Sequence, residues 1–105
     1  AVVLRVIRFL VEEQSEPAFM QHLRRLVDES IGSAEGLIES RLARRLERGR
    51  VVVLSTSVWQ DYASLASFLG NEVSRPFPDE PYRGLFESAT VEHFEDVSTA
   101  TLSVG

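Results

Sequence analysis

The side chains of this chain that could do chemistry are few: one tryptophan, Trp59, two tyrosines including Tyr62, the histidines His22 and His93, and eleven basic residues, all arginine. Cysteine is absent, which removes disulfides, thiolate metal sites, iron–sulfur clusters and cysteine nucleophiles together. Two histidines with no carboxylate at ligand spacing do not make a metal site. The sequence also has no glycine-rich phosphate loop, no Gly-x-Ser-x-Gly elbow and no close Ser–His–Asp grouping. The acidic pairs Glu12–Glu13 and Asp79–Glu80 fall in turns and read as solvated. What remains is donor chemistry. An apolar enclosure that holds hydrogen-bond donors against a developing anion lowers the barrier to forming it. Trp59 through its indole N–H, Tyr62, His22 and an arginine such as Arg5 or Arg8 could supply those donors, with Phe68 as apolar lining. Each has a structural reading beside the functional one. Trp59 reads as a core anchor, His22 as a boundary residue beside an apolar stripe, His93 as structural, and each arginine as a strand-end residue reaching water.

The elements that must position these groups follow from periodicity. Residues 2–11, Val-Val-Leu-Arg-Val-Ile-Arg-Phe-Leu-Val, are rich in β-branched residues and too short for a helix before Glu12, and predict a strand apolar on both faces. Arg5 and Arg8, three apart, fall on opposite faces of it. Ser15 as N-cap, Glu16 in the first turn and Pro17 open a helix over 16–31, with Phe19, Leu23, Leu26, Val27 and Ile31 on its apolar stripe. Residues 37–47 fit both periods, because Ile38, Leu42 and Leu46 recur every four positions. The turn Glu47-Arg48-Gly49-Arg50 and the clear strand that follows it favour a β-hairpin with partners 37–47 and 50–58. Trp59 ends that strand. Tyr62, Leu65, Ala66 and Leu69 then mark a short helix with Asp61 in its first turn and Gly70 as its stop. The stretch from Gly70 to Gly84, with Pro76, Pro78 and Pro81, reads as a lid, a binding loop or an arm across a partner. Residues 85–97 alternate as a last strand, with Phe86, Ser88, Thr90, Glu92 and Phe94 on one side, and 98–105 form a polar tail.

The order β, α, β, β, α, β predicts an α+β, ferredoxin-like fold with a four-stranded antiparallel sheet. A chain of 105 residues suits a single domain over 1–105, with its core in about 2–97. Two helices cover one face of such a sheet. The first and third strands are apolar on both faces, so a partner subunit is expected on the other. The net charge of -5 argues against general affinity for nucleic acid. No apolar run approaches the roughly 20 residues of a membrane span, so a cytoplasmic protein with no membrane partner is expected. Arg41, Arg44, Arg45, Arg48 and Arg50 form the one cluster suited to an anionic ligand, but Glu39 and Glu47 interleave it and it reads as a solvated sheet edge. RNA-recognition sheets need aromatics on the third strand, and 50–58 contains none.

With these elements in place, Val-Val-Val-Leu-Ser-Thr-Ser-Val-Trp-Gln-Asp-Tyr-Ala-Ser-Leu-Ala-Ser-Phe over 51–68 and the closing Val-Glu-His-Phe-Glu-Asp-Val over 91–97 resemble the antibiotic biosynthesis monooxygenase domain family. Trp59, followed by a polar residue and an amphipathic helix, is the most specific piece. The resemblance implies a homodimer in which two sheets pack as a dimeric α/β barrel, with a pocket between sheet and helices in each subunit. Some members oxidise polyketide-type phenols with molecular oxygen and no cofactor, and others degrade haem. The haem pattern needs an Asn on the first strand and a His on the second helix; this chain has neither. Where quinone-forming members carry an Asn shortly before the Trp, this chain has Ser55 and Ser57. The resemblance therefore implies Trp59 as catalytic candidate, with Tyr62, His22, Phe68 and Arg8 as substrate-binding candidates and neither metal nor cofactor. The expected function is that of a cofactor-independent monooxygenase-like protein for a small aromatic, quinol-type substrate. The alternative is a non-catalytic dimeric ligand-binding or accessory domain of the same fold.

Overall fold

The computed structural model describes residues 1–70 and 84–98. The apolar run at the start becomes strand β1 (Val3–Glu12), on which Val3, Arg5, Ile7, Phe9 and Val11 are buried while Arg8 and Glu12 are exposed. Strands β2 (Leu37–Glu47), β3 (Arg50–Trp59) and β4 (Ser88–Glu95), with helices α1 (Glu16–Glu29) and α2 (Tyr62–Leu69), complete the order βαββαβ. The sheet is antiparallel, in the order β2-β3-β1-β4. This is the ferredoxin-like α+β fold. The two most apolar strands, β1 and β3, occupy its centre, where both faces need cover.

The hairpin between β2 and β3 is set by its turn. Arg48 and Gly49 have φ of 52° and 78°, two successive left-handed residues, which match the twist of the strands they join. At the far end of β2 the register slips. Leu37 pairs with Trp59 and Glu39 with Val58, leaving Ile38 as a bulge.

Both helices lie on the face formed by the odd-numbered residues of β1. Phe19, Met20 and Leu23 of α1 pack on Ile7, Phe9, Val11, Val51 and Val53. Leu65 of α2 packs on Val3 and Trp59 as a second, smaller cluster. The first helix ends at Glu29 and passes into a short 3-10 turn at Ile31–Ser33, two residues earlier than the periodicity predicts. Ser15 makes no side-chain cap hydrogen bond. The start of α1 is tied down instead by a two-pronged ion pair, in which Arg44 of β2 donates through Nε and Nη2 to the Glu16 carboxylate. Asp61 is the N-cap of α2, accepting the Ser64 N–H at 2.7 Å, and that hydrogen bond holds its carboxyl below the usual range.

The last strand begins at Ser88 rather than Leu85. Phe86 turns into the helix-covered core, with its ring 5.3 Å from that of Phe9 and 6.1 Å from that of Phe19. It therefore does not share the side of Ser88, Thr90, Glu92 and Phe94, as strict alternation predicts. The expected lid over 70–84 and the tail over 98–105 lie almost wholly outside the described residues. Among the described residues no helix is long and apolar enough to cross a membrane.

One glycine fixes how α2 meets the sheet. Gly36 has φ of 89°, and a Cβ there would stand 2.4 Å from the Ser64 side chain. Its carbonyl accepts the Gln60 N–H at 2.7 Å, so this segment and the start of α2 are held face to face. Gly36→Ala is expected to cost about 2–4 kcal/mol in urea denaturation, from left-handed strain plus overpacking. Gly49→Ala is the control: its φ is also positive, but nothing lies within 4 Å of the added carbon. There the strain alone of about 1–2 kcal/mol is expected.

Candidate ligand-binding site

The helices do not roof the sheet completely. At 1.5 Å per residue the eight residues of α2 extend about 12 Å, against about 33 Å for a ten-residue strand. A cavity of ≈ 300 Å³ remains between the C-terminal ends of the two helices. Leu26, Ser30 and Ile31 wall it from the α1 side, and Phe68 and Leu69 from α2. Its floor is Arg5 and Ile7 of β1, Ser55, Ser57 and Trp59 of β3, and Ser40 of β2. Such a volume lies at the lower end of the about 300–1,000 Å³ typical of small-molecule sites.

Strand register explains the polar part of that floor. His93 pairs with Arg5, Arg5 with Ser57, and Ser57 with Ser40, so one polar row crosses all four strands. Arg5 is 4% exposed, and its Nη1 donates to Nε2 of His93 at 2.9 Å. An arginine nitrogen donates only, so Nε2 accepts and His93 is the neutral Nδ1–H tautomer. Burial first, and the Arg5 charge second, hold the His93 pKa below its usual value. Burial likewise lowers that of Arg5, which stays charged at every physiological pH.

A pH dependence follows. The unfolded chain takes up the His93 proton near pH 6.5, whereas the folded one resists it to lower pH. Between those values the unfolded state binds more protons, so stability is present above about 6.5 and is lost as pH falls. Unfolding free energy measured from pH 7 down to 5 is expected to decline, and His93→Gln to flatten that decline. An unchanged slope in His93→Gln rejects the pairing.

The structure sorts the candidate residues. Trp59 is fully buried in the cavity wall, with Phe68 at a centroid distance of 5.6 Å. The Trp59 indole N–H is not directed at the cavity as a donor, because it donates to Ser57 Oγ at 2.9 Å. Arg8 is exposed on the opposite face of β1 and lies outside the site, since its even position points away from the helices. Tyr62, 51% exposed, sits at the outer start of α2 against the edge of His93 and does not line the cavity. His22 is half-buried on α1 and likewise not part of the lining. Arg5 and Ser57 come into the site as alternation allows. Ser40 and the orienting role of His93 were missed; their signal is the pairing of distant strands, which periodicity does not carry. Of the arginine cluster, Arg41, Arg44, Arg45 and Arg50 each pair with a glutamate, namely Glu39, Glu16, Glu47 and Glu87.

The haem-degrading branch implied by the resemblance raises the question of a cofactor. Among the described residues the lining contains no His, Cys, Met or Tyr, the side chains that hold haem iron. The residues present do not fit that group.

Fold and site together define a ferredoxin-like domain with a partly open, mainly apolar cavity between sheet and helices. The antibiotic biosynthesis monooxygenase family profile matches residues 2–78, and the chain belongs to that family. The chain is similar in structure to a mutant of SnoaB, a cofactor-independent oxygenase from Streptomyces nogalater, with a TM-score of 0.73 at 18% identity over 93% of this chain and 95% of that one. It is similar also to Rv0793 from Mycobacterium tuberculosis (TM-score 0.69, 14% identity, 96% and 100% covered). A conserved protein from Methanosarcina mazei gives 0.68 at 18% identity, with 89% and 90% covered. At these identities the likeness shows the fold. No curated protein matches.

Proposed function

We propose that the protein is a cofactor-independent, monooxygenase-like homodimer of the cytoplasm that oxidises a small aromatic, quinol-type substrate in this cavity. The observation that carries the reading is the cavity itself: a partly open recess lined by Trp59, Phe68 and aliphatic side chains, with an arginine in its floor. An anthrone methylene can become a carbonyl with one oxygen atom of O2 while the other leaves as water, so substrate and oxygen balance without an external reductant. The chain then has only to hold the substrate, favour its ionised form and keep water away. The uncovered apolar face of β1 and β3 supports the homodimer, and the absence of cysteine fits a reducing compartment.

Oxygen-electrode assays with a panel of anthrones and hydroquinones, without added metal or cofactor, test the reading. Uptake with at least one of them is expected, together with loss of most of it when Leu69→Trp fills the cavity. One observation favours the non-catalytic alternative: the Trp59 N–H is already satisfied by Ser57. Ligand binding without oxygen uptake across the panel would establish that alternative.

A further inference from the structure

The inward face of β3 reads Val51, Val53, Ser55, Ser57 and Trp59, and one hydroxyl on it has nothing to bond. Four serines line the cavity: Ser30, Ser40, Ser55 and Ser57. The other three are half-buried and can reach water, whereas Ser55 is 5% exposed. Ser57 Oγ accepts the Trp59 indole N–H. Ser55 Oγ makes no hydrogen bond among the described residues. Strand register gives the reason. Ile7 of β1 and Leu42 of β2 stand opposite Ser55 on its two sides, and Val53, fully buried, precedes it on the same face. None of these side chains offers an acceptor. The Arg5 guanidinium is no partner either, since it reaches to His93 on β4, away from β3. A buried hydroxyl left unpaired is rare and destabilising, and an alanine or valine at this position would continue the apolar face without that penalty. The open side of Ser55 is the cavity.

Resting on the reading of this cavity as the ligand site, we propose that Ser55 sets its specificity: the ligand is an uncharged ring ketone whose carbonyl oxygen accepts the Ser55 O–H. The ring itself lies against Ile7, Leu26, Ile31, Phe68 and Leu69. The unpaired group is a hydroxyl whose proton needs an acceptor, and a ketone brings an acceptor with no donor of its own. It leaves no second polar group to be buried among aliphatic walls. An alcohol or a phenol brings an O–H that these walls do not answer. Among substrates of the proposed reaction, this places ring ketones above hydroquinones.

Equilibrium dialysis of the wild type and Ser55→Ala against 1-tetralone and its parent hydrocarbon tetralin, bicyclic probes that differ only by the carbonyl, tests this. Taking a carbonyl out of water with no partner makes a ketone the weaker ligand, so a wild type that supplies the partner is expected to bind the ketone at least as tightly as tetralin. Ser55→Ala is expected to lower ketone affinity about three- to tenfold and to leave that of tetralin within about twofold. Urea denaturation of the unliganded proteins adds a readout that a hydroxyl with an internal structural role would move the other way. The midpoint of Ser55→Ala is expected at or above that of the wild type, because the hydroxyl removed had no partner. A ketone that binds the wild type more weakly than tetralin overturns the proposal, as does a ketone affinity that survives Ser55→Ala, or a variant with a lowered midpoint. If the hydroquinones of the oxygen-electrode panel are consumed while the ketone shows no preference, this selection falls and the proposed function stands. If neither probe binds, both fall.

Discussion

Phe9→Ala is expected to remove about 3–5 kcal/mol of stability, a large share of the about 5–15 kcal/mol that holds a domain together. Phe9 is fully buried at the middle of the central strand. Its ring meets Phe19 of α1 edge-on at 4.9 Å and Phe86 ahead of β4 at 5.3 Å. Strand β1, helix α1 and the segment leading into β4 thus converge on one ring. Truncation leaves a void that the rigid sheet on one side prevents from closing, so the cavity cost adds to the lost transfer energy. Phe9→Leu, which keeps most of the volume, is expected to cost far less, about 1–1.5 kcal/mol. Urea denaturation of the three proteins checks the order. A loss below about 1.5 kcal/mol for the alanine variant would show that α1 is not anchored here. Phe9 does not line the ligand cavity, so the folded fraction of either variant should keep its affinity for ligands.

Leu54→Glu is expected to weaken self-association about 100-fold or more. Leu54 lies on β3 between Arg8 of β1 and Ala43 of β2, on the face that neither helix covers. Around it are Leu4, Val6, Leu10, Val52 and Val58 from the same two central strands, an apolar patch of the kind that marks an association surface. A carboxylate introduced there is solvated in a lone subunit and buried in a pair. An unpaired charge in an interface costs about 2–5 kcal/mol. Sedimentation at several concentrations gives the association constant directly. Ser67→Glu, on the outer surface of α2, is the control expected to leave it unchanged. A wild-type protein that is monomeric at tens of micromolar would rule out the homodimer. Because the helix-side core is untouched, the variant should keep its far-ultraviolet spectrum.

These two faces show what could be read from the sequence. Alternation in β1 places Arg5 and Arg8 on opposite sides, and the hairpin turn at Arg48 and Gly49 marks the β2–β3 register. The order of elements followed from the same signals. Which of the two arginines the helices cover did not, because both faces of β1 are apolar and either could be the inner one. The site was less legible still. Its polar row joins Arg5 to His93, 88 positions away, through a pairing that depends on the sheet order and not on any local period. Trp59 was conspicuous as a residue type, yet its N–H turned out to serve the neighbouring Ser57. Phe86 shows the same limit from the other direction: alternation extrapolated past the strand end assigned it to the wrong face.

The bulge at Ile38 has a consequence for how the chain tolerates insertion and deletion. Without it, Leu37 and Ser40 would have opposite parity and could not both face inward. With it, β2 is written in two phases, one that sets Leu37 beside Trp59 and one that sets Ser40 and Leu42 toward the cavity and core. Loss of one residue between 40 and 46 inverts every later side chain up to the turn and carries Arg44 away from Glu16. Loss of Ile38 itself merges the phases and leaves Leu37 opposite Trp59 and Glu39 opposite Val58, as they are now. Length variation in this strand is therefore expected to collect at position 38, where a single residue acts as a frame corrector between the two halves of the site.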